Sequence, residues 1–207
     1  MIIFLLLFIF WAVLHSVTAA LSLKHFFRAR FGDKSYAGWY RFLYNTISVV
    51  TFLPIYMLIP ILMPVEVLWA WQRPYLYLAY TVQVIGLLGL VYSLWVTDVW
   101  DFLGIRQMVW YVRGTEGDVP PPNFTTQGTY ALVRHPLYFF SLLLLWFNPV
   151  VTVGSLVFYV GATSYFWIGS YYEERKLAAV YGEAYRIYQQ QVPRLFPMPM
   201  KRKEIGD

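Results

Sequence analysis

Between Pro136 and Tyr172 the sequence carries no charged side chain over 37 residues. A charged, polar segment stands at each end, GTYALVRHPLY running into the stretch and EERKLAAVYGEAYRIY leaving it. About 20 apolar residues are needed to cross a bilayer, so the run is too long for one span and just long enough for two short ones. Asn148-Pro149 near its middle supplies the turn, because proline cannot continue a helical hydrogen-bond ladder and asparagine favours turns. A hairpin of this kind returns groups distant in sequence to one membrane face.

Three more apolar runs precede it, Met1 to Leu23, Leu43 to Val65 and Tyr75 to Thr97, the second interrupted by Pro54 and Pro60. The reading is therefore an all-α integral membrane protein with about five transmembrane helices. It agrees with a composition of 59% hydrophobic and 13% charged residues, far from the roughly one-quarter charged of soluble domains. No linker-like tract breaks the chain, so a single membrane-embedded domain is expected over 1–207. Its parts are three N-terminal spans in 1–97, a cytoplasmic connector in 98–135, the hairpin in 136–172 and a tail in 173–207 that completes a site. All but Arg73 of the sixteen Lys and Arg residues fall in loops on one side of this arrangement, which puts that side and the C-terminus in the cytoplasm and the N-terminus outside. The basic excess then belongs to membrane topology and not to nucleic acid, and a bacterial inner membrane is the expected location. Met1 to Leu23 lacks the basic start of a signal peptide and has too long an apolar run for one, so it reads as retained.

The connector is long for a compact bundle. Its first part, DVWDFLGIRQMVWYVRG, reads as an amphipathic helix at the interface with Arg106 and Arg113 offered to headgroups. Val119 to Phe124, with Pro120-Pro121-Pro122, reads as extended.

The absence of cysteine excludes disulfides, thiolate metal sites and a cysteine nucleophile, and three scattered histidines make no metal set. Arg134 and His135 stand immediately before Pro136, a residue favoured at the first helical position. A helix N-terminus flanked by two cationic groups suits a carboxylate or phosphate, with Tyr138 one turn inside. On the returning side Glu173-Glu174 close the uncharged run, and carboxylates at that depth need partners or a function. At about 100° per residue Glu174, Tyr181, Tyr185 and Tyr188 share a helix face, with Gly182 as a possible interruption. An aromatic belt facing lipid and a pocket wall both fit that stripe. If the two brackets meet, they supply donors for a carboxylate, acceptors for an ammonium and aromatic faces for adenine or a sulfonium, the features of S-adenosylmethionine.

Gly128-x-Tyr130, Val133-Arg134-His135-Pro136-x-Tyr138, Glu173-Glu174, Tyr181-Gly182-x-x-Tyr185 and Val192-Pro193-Arg194 occur in that order. Together they resemble the isoprenylcysteine carboxyl methyltransferase and phospholipid methyltransferase superfamily over about the last 80 residues. Phe102 to Gln107, with Trp11 to Ser16 and Lys24, is similar to bacterial methanethiol S-methyltransferases and NnrU-type membrane proteins. The resemblance implies an S-adenosylmethionine pocket open to the cytoplasm and a lateral opening for a small thiol or lipophilic acceptor. It carries cofactor binding to Gln127, Gly128, Tyr130, Val133, His135, Pro136, Tyr138, Glu173, Glu174 and Tyr185. In it Glu174 holds the cofactor's ammonium, Arg134 and Glu174 are catalytic, and Arg134 and Arg194 face the acceptor. Members that methylate a prenylcysteine carboxylate have a basic residue just before Val-Pro, where this chain has Gln191, which favours a small thiol or an apolar acceptor. The resemblance also admits a non-enzymatic NnrU-like membrane subunit assisting a respiratory or nitrogen-oxide enzyme.

Two features stand apart. His15, inside the first span, reads as an interhelical hydrogen bond or as a haem or acceptor contact. Gly86 and Gly89 offer a small-residue face for a second copy, and the oligomeric state is open.

Overall fold

The structure, a computed structural model, describes residues 1–115 and 124–198. The proline run 120–122 and Lys201, Arg202 and Lys203 lie outside the described residues. In chain order the elements are α1 (Ile2–Ala19), α2 (Leu21–Met57), α3 (Ile59–Leu62), β1 (Val67–Ala70), α4 (Tyr75–Val96), α5 (Val99–Leu103) and α6 (Ile105–Arg113). A 3-10 turn (Gly128–Ala131), α7 (Pro136–Trp146), β2 (Val150–Thr152), α8 (Val153–Tyr181) and α9 (Glu183–Gln191) follow. The chain is mostly helical. Among the described residues α1 and α4 are long and apolar enough to cross a membrane, by length and composition.

The chain divides into two compact units. Within described residues the first holds 1–66, 97–115 and 153–155, and the second holds 67–96, 124–152 and 156–198.

In the first unit α1 lies against α2, and their polar contact centres on His15. Ser48 Oγ donates to Tyr44 O at 2.7 Å, so that hydroxyl accepts from His15 Nδ1 at 2.7 Å. His15 Nε2 in turn accepts from the Tyr44 hydroxyl at 2.6 Å, and Trp11 Nε1 donates to Ser48 O at 3.1 Å. The donor count assigns the tautomer, and both ring nitrogens serve the interhelical bond.

The amphipathic connector is not one helix. Gly104, at φ 81°, divides it into α5 and α6, and a Cβ there would stand 2.4 Å from the Phe42 backbone nitrogen. Asp101 accepts from Arg41 Nη1 and from Gln107 Nε2, each at 2.6 Å, and docks α5 on α2. Arg106 is paired through Nη2 with Asp98, whose carboxylate also caps α5, and its side chain remains 37% exposed. Arg113 is exposed in the last turn of α6.

In the second unit α4 packs on α7 through the two glycines. A Cβ on Gly89 would lie 2.3 Å from Phe140 Cε1, and one on Gly86 would lie 3.2 Å from Leu144 Cδ2. The small-residue face expected for a second copy is thus occupied within the chain. Gln83 Nε2 adds a hydrogen bond to Leu144 O at 3.1 Å, and Trp146 Nε1 donates to Thr163 Oγ1 of α8 at 3.0 Å.

The hairpin turn falls at Asn148-Pro149 as expected, but the two arms are unequal. α7 has 11 residues and rises about 16 Å, roughly half a hydrocarbon core, whereas α8 has 29. The sequence pattern did not reveal β1 and β2, which pair antiparallel with Val67 opposite Thr152 and Ala70 opposite Val150. Their β-branched and aromatic side chains suit a short ribbon, and runs of four and three residues are too brief to show alternation.

Replacing Gly89 by leucine forces its side chain into the Phe140 ring. Thermal unfolding of the purified protein is expected to show a loss of about 1 to 3 kcal/mol, partly recovered by adding Phe140→Ala. An unchanged unfolding temperature contradicts this packing.

Candidate functional site

Two X-Pro steps build the site. His135 precedes Pro136 and Val192 precedes Pro193, and a residue before proline is pushed out of the helical region. His135 sits at φ −121°, ψ 66° and Val192 at φ −123°, ψ 131°. The two extended segments lie side by side: Arg134 N donates to Pro193 O at 2.9 Å and His135 N to Arg194 O at 3.1 Å. The tail is therefore hydrogen-bonded to the entrance of α7.

The Arg134 side chain reinforces that seam. Its Nη1 donates to Gln189 O at 2.9 Å and to Val192 O. Its Nε and Nη2 grip Glu174 in a two-pronged pair at 2.7 and 2.9 Å. Glu174 Oε1 also accepts from His135 Nε2 at 3.1 Å, and Oε2 from Gln189 Nε2 at 2.9 Å. Each carboxylate oxygen thus has two donors, which fills the roughly four lone-pair positions of a carboxylate. Both side chains are nearly buried, at 9% and 10% exposure.

Glu173 is placed differently. It is 47% exposed, its Oε2 accepts from the Tyr138 hydroxyl at 3.0 Å, and His135 Nδ1 lies 3.5 Å away. His135 is thereby bracketed by two carboxylates. Its ring stacks on Tyr138 at 5.3 Å, and Tyr138 stacks on Phe166 at 4.7 Å, with interplanar angles of 4° and 5°. On the next residue of α8 the Arg194 guanidinium covers the Trp167 ring at 4.2 Å.

The helix carrying Glu174 ends at Tyr181 and does not continue to Tyr185 and Tyr188. Gly182 adopts φ 59°, ψ −131°, a conformation open to glycine, and separates α8 from α9. The tyrosines still converge, because Phe124 packs against Tyr181, Tyr185 and Tyr188 at 4.6, 5.7 and 6.0 Å. Tyr185 and Tyr188 are buried core residues and not a lipid-facing belt, and the Tyr188 hydroxyl donates to Tyr130 O at 2.6 Å.

Burial pushes the Glu174 carboxyl up, but the hydrogen bonds from His135 and Arg134 outweigh it and hold the group at about 2. Burial pulls the His135 imidazole down, and its hydrogen bonds to Glu173 and Glu174 win, leaving it above its usual 6.5. Burial and then the Glu174 charge push the Tyr185 phenol up, so it stays a neutral hydroxyl.

Of the residues expected to bind a cofactor, His135, Tyr138, Glu173 and Glu174 form one cluster. Val133 and Pro136 are fully buried packing residues. Gly128 lies against Tyr92 and Val96 at the end of α4, and Gln127 precedes the 3-10 turn. Among the described residues no hydrogen bond ties either of them to the Arg134 cluster. Gln189, Phe166 and Trp167 were not foreseen. Gln189 stood out in sequence as part of a polyglutamine triplet, and the two aromatics were lost in an aromatic-rich helix.

A largely helical chain with two apolar helices of membrane-crossing length carries, at the mouth of a hairpin, a buried ionic cluster and an exposed carboxylate beside an aromatic stack. Part of its sequence is similar to proteins named methanethiol S-methyltransferase. It is 35% identical over 123 residues to a methanethiol S-methyltransferase of Crocosphaera subtropica, covering 59% of this chain and 48% of that protein. It is 37% identical over 110 residues to methanethiol S-methyltransferase 2 of Bradyrhizobium diazoefficiens, covering 53% and 42%. It is 44% identical over 75 residues to the enzyme of that name from Pseudomonas deceptionensis, covering 36% and 29%. The chain spans less than half the length of these curated relatives. No family model matches it, and no solved structure does. The resemblance carried by its motifs is to methanethiol S-methyltransferases, consistent with the isoprenylcysteine carboxyl methyltransferase-like family, and these comparisons do not extend it to NnrU-type proteins.

Two pH effects follow from the cluster. Glu174 lies below its usual value, so its stabilisation is full above about pH 4.5 and is lost as pH falls towards 2. His135 lies above 6.5, so its stabilisation is full below that pH and is lost as pH rises through the folded value. Chemical denaturation across pH is expected to show an acid-side loss that Glu174→Gln diminishes. Arg134→Ala leaves a buried carboxylate unpaired and costs about 3 to 5 kcal/mol at pH 7. A neutral effect of Arg134→Ala contradicts the buried pair.

Proposed function

We propose that the chain is an S-adenosylmethionine-dependent membrane methyltransferase acting on a small thiol. The observation that carries this reading is the His135–Tyr138–Phe166 stack with the half-exposed Glu173 beside it. An ammonium finds an acceptor in Glu173, and a sulfonium or adenine finds aromatic faces in the stack, so these residues fit the cofactor. The cofactor supplies an already activated methyl group, and the protein's part is to align the acceptor and exclude water.

The filled oxygens of Glu174 favour a change of roles. Glu173 takes the ammonium, while Arg134 and Glu174 act as positioning residues that hold His135 and the tail in place. Tyr185, a neutral buried hydroxyl next to this pair, closes the wall. Gln127, Gly128 and Tyr130 form the rim nearer α4.

A membrane setting is supported by the outer faces of α1 and α4. Ile2, Phe10, Val13, Leu88 and Trp95 are exposed, and 17% of each helix's apolar window is buried, where a soluble core helix would be mostly covered. We read five crossings, α1, the later part of α2, α4 and the two arms of the hairpin, of which α7 alone covers about half the hydrocarbon core, with the C-terminus cytoplasmic by the distribution of basic residues. The names of the relatives favour an enzyme with a small thiol acceptor over an accessory subunit.

Detergent-purified protein given S-adenosylmethionine with an isotopic methyl group and a small alkyl thiol is expected to release labelled thioether. Tyr138→Ala, which removes the middle ring of the stack, is expected to lower kcat/KM about tenfold. Folded wild type that labels no thiol contradicts the reading.

A further inference from the structure

We propose that the cofactor's ammonium and a proton on His135 compete for Glu173, so that binding of S-adenosylmethionine expels one proton from the imidazole. This rests on the methyltransferase reading above and adds a proton linkage to the same site.

The hydrogen bonds locate the proton. An ionised Glu174 can only accept, so His135 Nε2, 3.1 Å from its Oε1, carries a hydrogen whether the ring is neutral or charged. Nδ1 is therefore the nitrogen that gains and loses a proton, and it lies 3.5 Å from Glu173 Oε2. The bond to Glu174 and the stack on Tyr138 at 5.3 Å hold the ring in this orientation, and only 6% of the residue is exposed.

The charged and titratable groups around the imidazole come from four segments. The entrance of α7 supplies Arg134 and Tyr138. α8 supplies Glu173, Glu174 and, through its charge on Glu173, Lys176. α9 supplies Tyr185, a neutral hydroxyl. The tail meets His135 through Arg194 O, with that guanidinium on the Trp167 ring. Arg134 and Glu174 neutralise each other in their two-pronged pair. The carboxylate left to balance a charged imidazole is Glu173, half-exposed and already accepting from Tyr138 at 3.0 Å.

Glu173 then has two claimants. A protonated His135 balances it, and an ammonium brought to the same carboxylate leaves one cation in surplus. A neighbouring like charge disfavours the protonated ring. The proton on Nδ1 is the charge that leaves near neutral pH, because guanidinium and ammonium groups hold theirs. It passes to solvent, which restores the balance and turns Nδ1 into a second acceptor beside Glu173 for the ammonium's N–H groups. The exchange runs backwards in acid, where the imidazolium holds Glu173 against the cofactor. Burial pulls the free imidazole down and its hydrogen bonds to Glu173 and Glu174 outweigh it, so without cofactor the ring is more than half charged at pH 6.5.

Calorimetric titration of S-adenosylhomocysteine, which keeps the ammonium, into the purified protein tests this when repeated at about pH 5.5 and 6.5 in buffers of different ionisation enthalpy, whose heats count the protons exchanged. Glu174, held at about 2 by its bonds from His135 and Arg134 against burial, stays ionised over this range. So does Glu173, which partial burial pushes up and the hydrogen bond and charge of His135 hold below the usual 4.5. Wild type is expected to release between about one half and one proton per ligand at pH 6.5 and to bind about five- to tenfold more tightly there than at pH 5.5. His135→Gln is expected to release almost none and to bind equally at both values. If that variant does not fold, magnetic resonance of the imidazole protons in wild type serves, with three histidines to resolve. The His135 midpoint is expected to fall by about one pH unit or more when S-adenosylhomocysteine is bound. Binding with no proton released, or an unmoved midpoint, overturns the inference and leaves the proposed function standing. Release undiminished in folded His135→Gln also overturns it and assigns the proton to another group. A folded wild type that binds no S-adenosylhomocysteine contradicts the methyltransferase reading and removes this inference with it.

Discussion

The pairing of Arg134 with Glu174 is the contact on which the rest of the second unit depends. It joins the entrance of α7 to α8, and through Gln189 and Val192 it draws in the end of α9 and the tail. Two buried ions repay their desolvation only when geometry is good and the remaining lone pairs and protons are satisfied. Here both carboxylate oxygens carry two donors each, and the guanidinium's Nη1 serves two backbone carbonyls. The cluster therefore works as a clasp. It fixes His135 by a side-chain hydrogen bond to Glu174 and by a main-chain hydrogen bond to Arg194.

Once the clasp is closed, the division of labour follows from which groups still have free valence. Glu173 and Glu174 are adjacent in sequence and chemically identical, yet they differ fivefold in exposure because successive helical residues point about 100° apart. Glu174 points into the buried pair, and Glu173 is half-exposed beside the aromatic stack. The two arginines divide in the same way, Arg134 inward and Arg194 over an exposed ring.

Much of this was legible in the sequence. The uncharged run of 37 residues between charged brackets anticipated the hairpin, its turn at Asn148-Pro149 and the meeting of Arg134 and His135 with Glu173 and Glu174. The helical periodicity that groups the three tyrosines is broken at Gly182, and they converge because Phe124 gives them a common packing partner. Pairing was not legible. Sequence shows that a cation and an anion approach one another but not whether they satisfy each other or remain open to a ligand, so Arg134 and Glu174 were read as ligand-facing. The ribbon of β1 and β2 escaped notice because its strands are too short for alternation to register, and the break at Gly104 because it answers a tertiary contact with Phe42.

The central claim is that the inward carboxylate holds the fold while the outward one holds the ligand. Calorimetric titration of S-adenosylhomocysteine into wild type, Glu173→Gln and Glu174→Gln, each with its unfolding temperature, tests it most directly. The account predicts that Glu173→Gln loses about tenfold or more in affinity at an unchanged unfolding temperature, whereas Glu174→Gln is marked first by a lowered unfolding temperature. Wild-type affinity in a folded Glu173→Gln protein would contradict it.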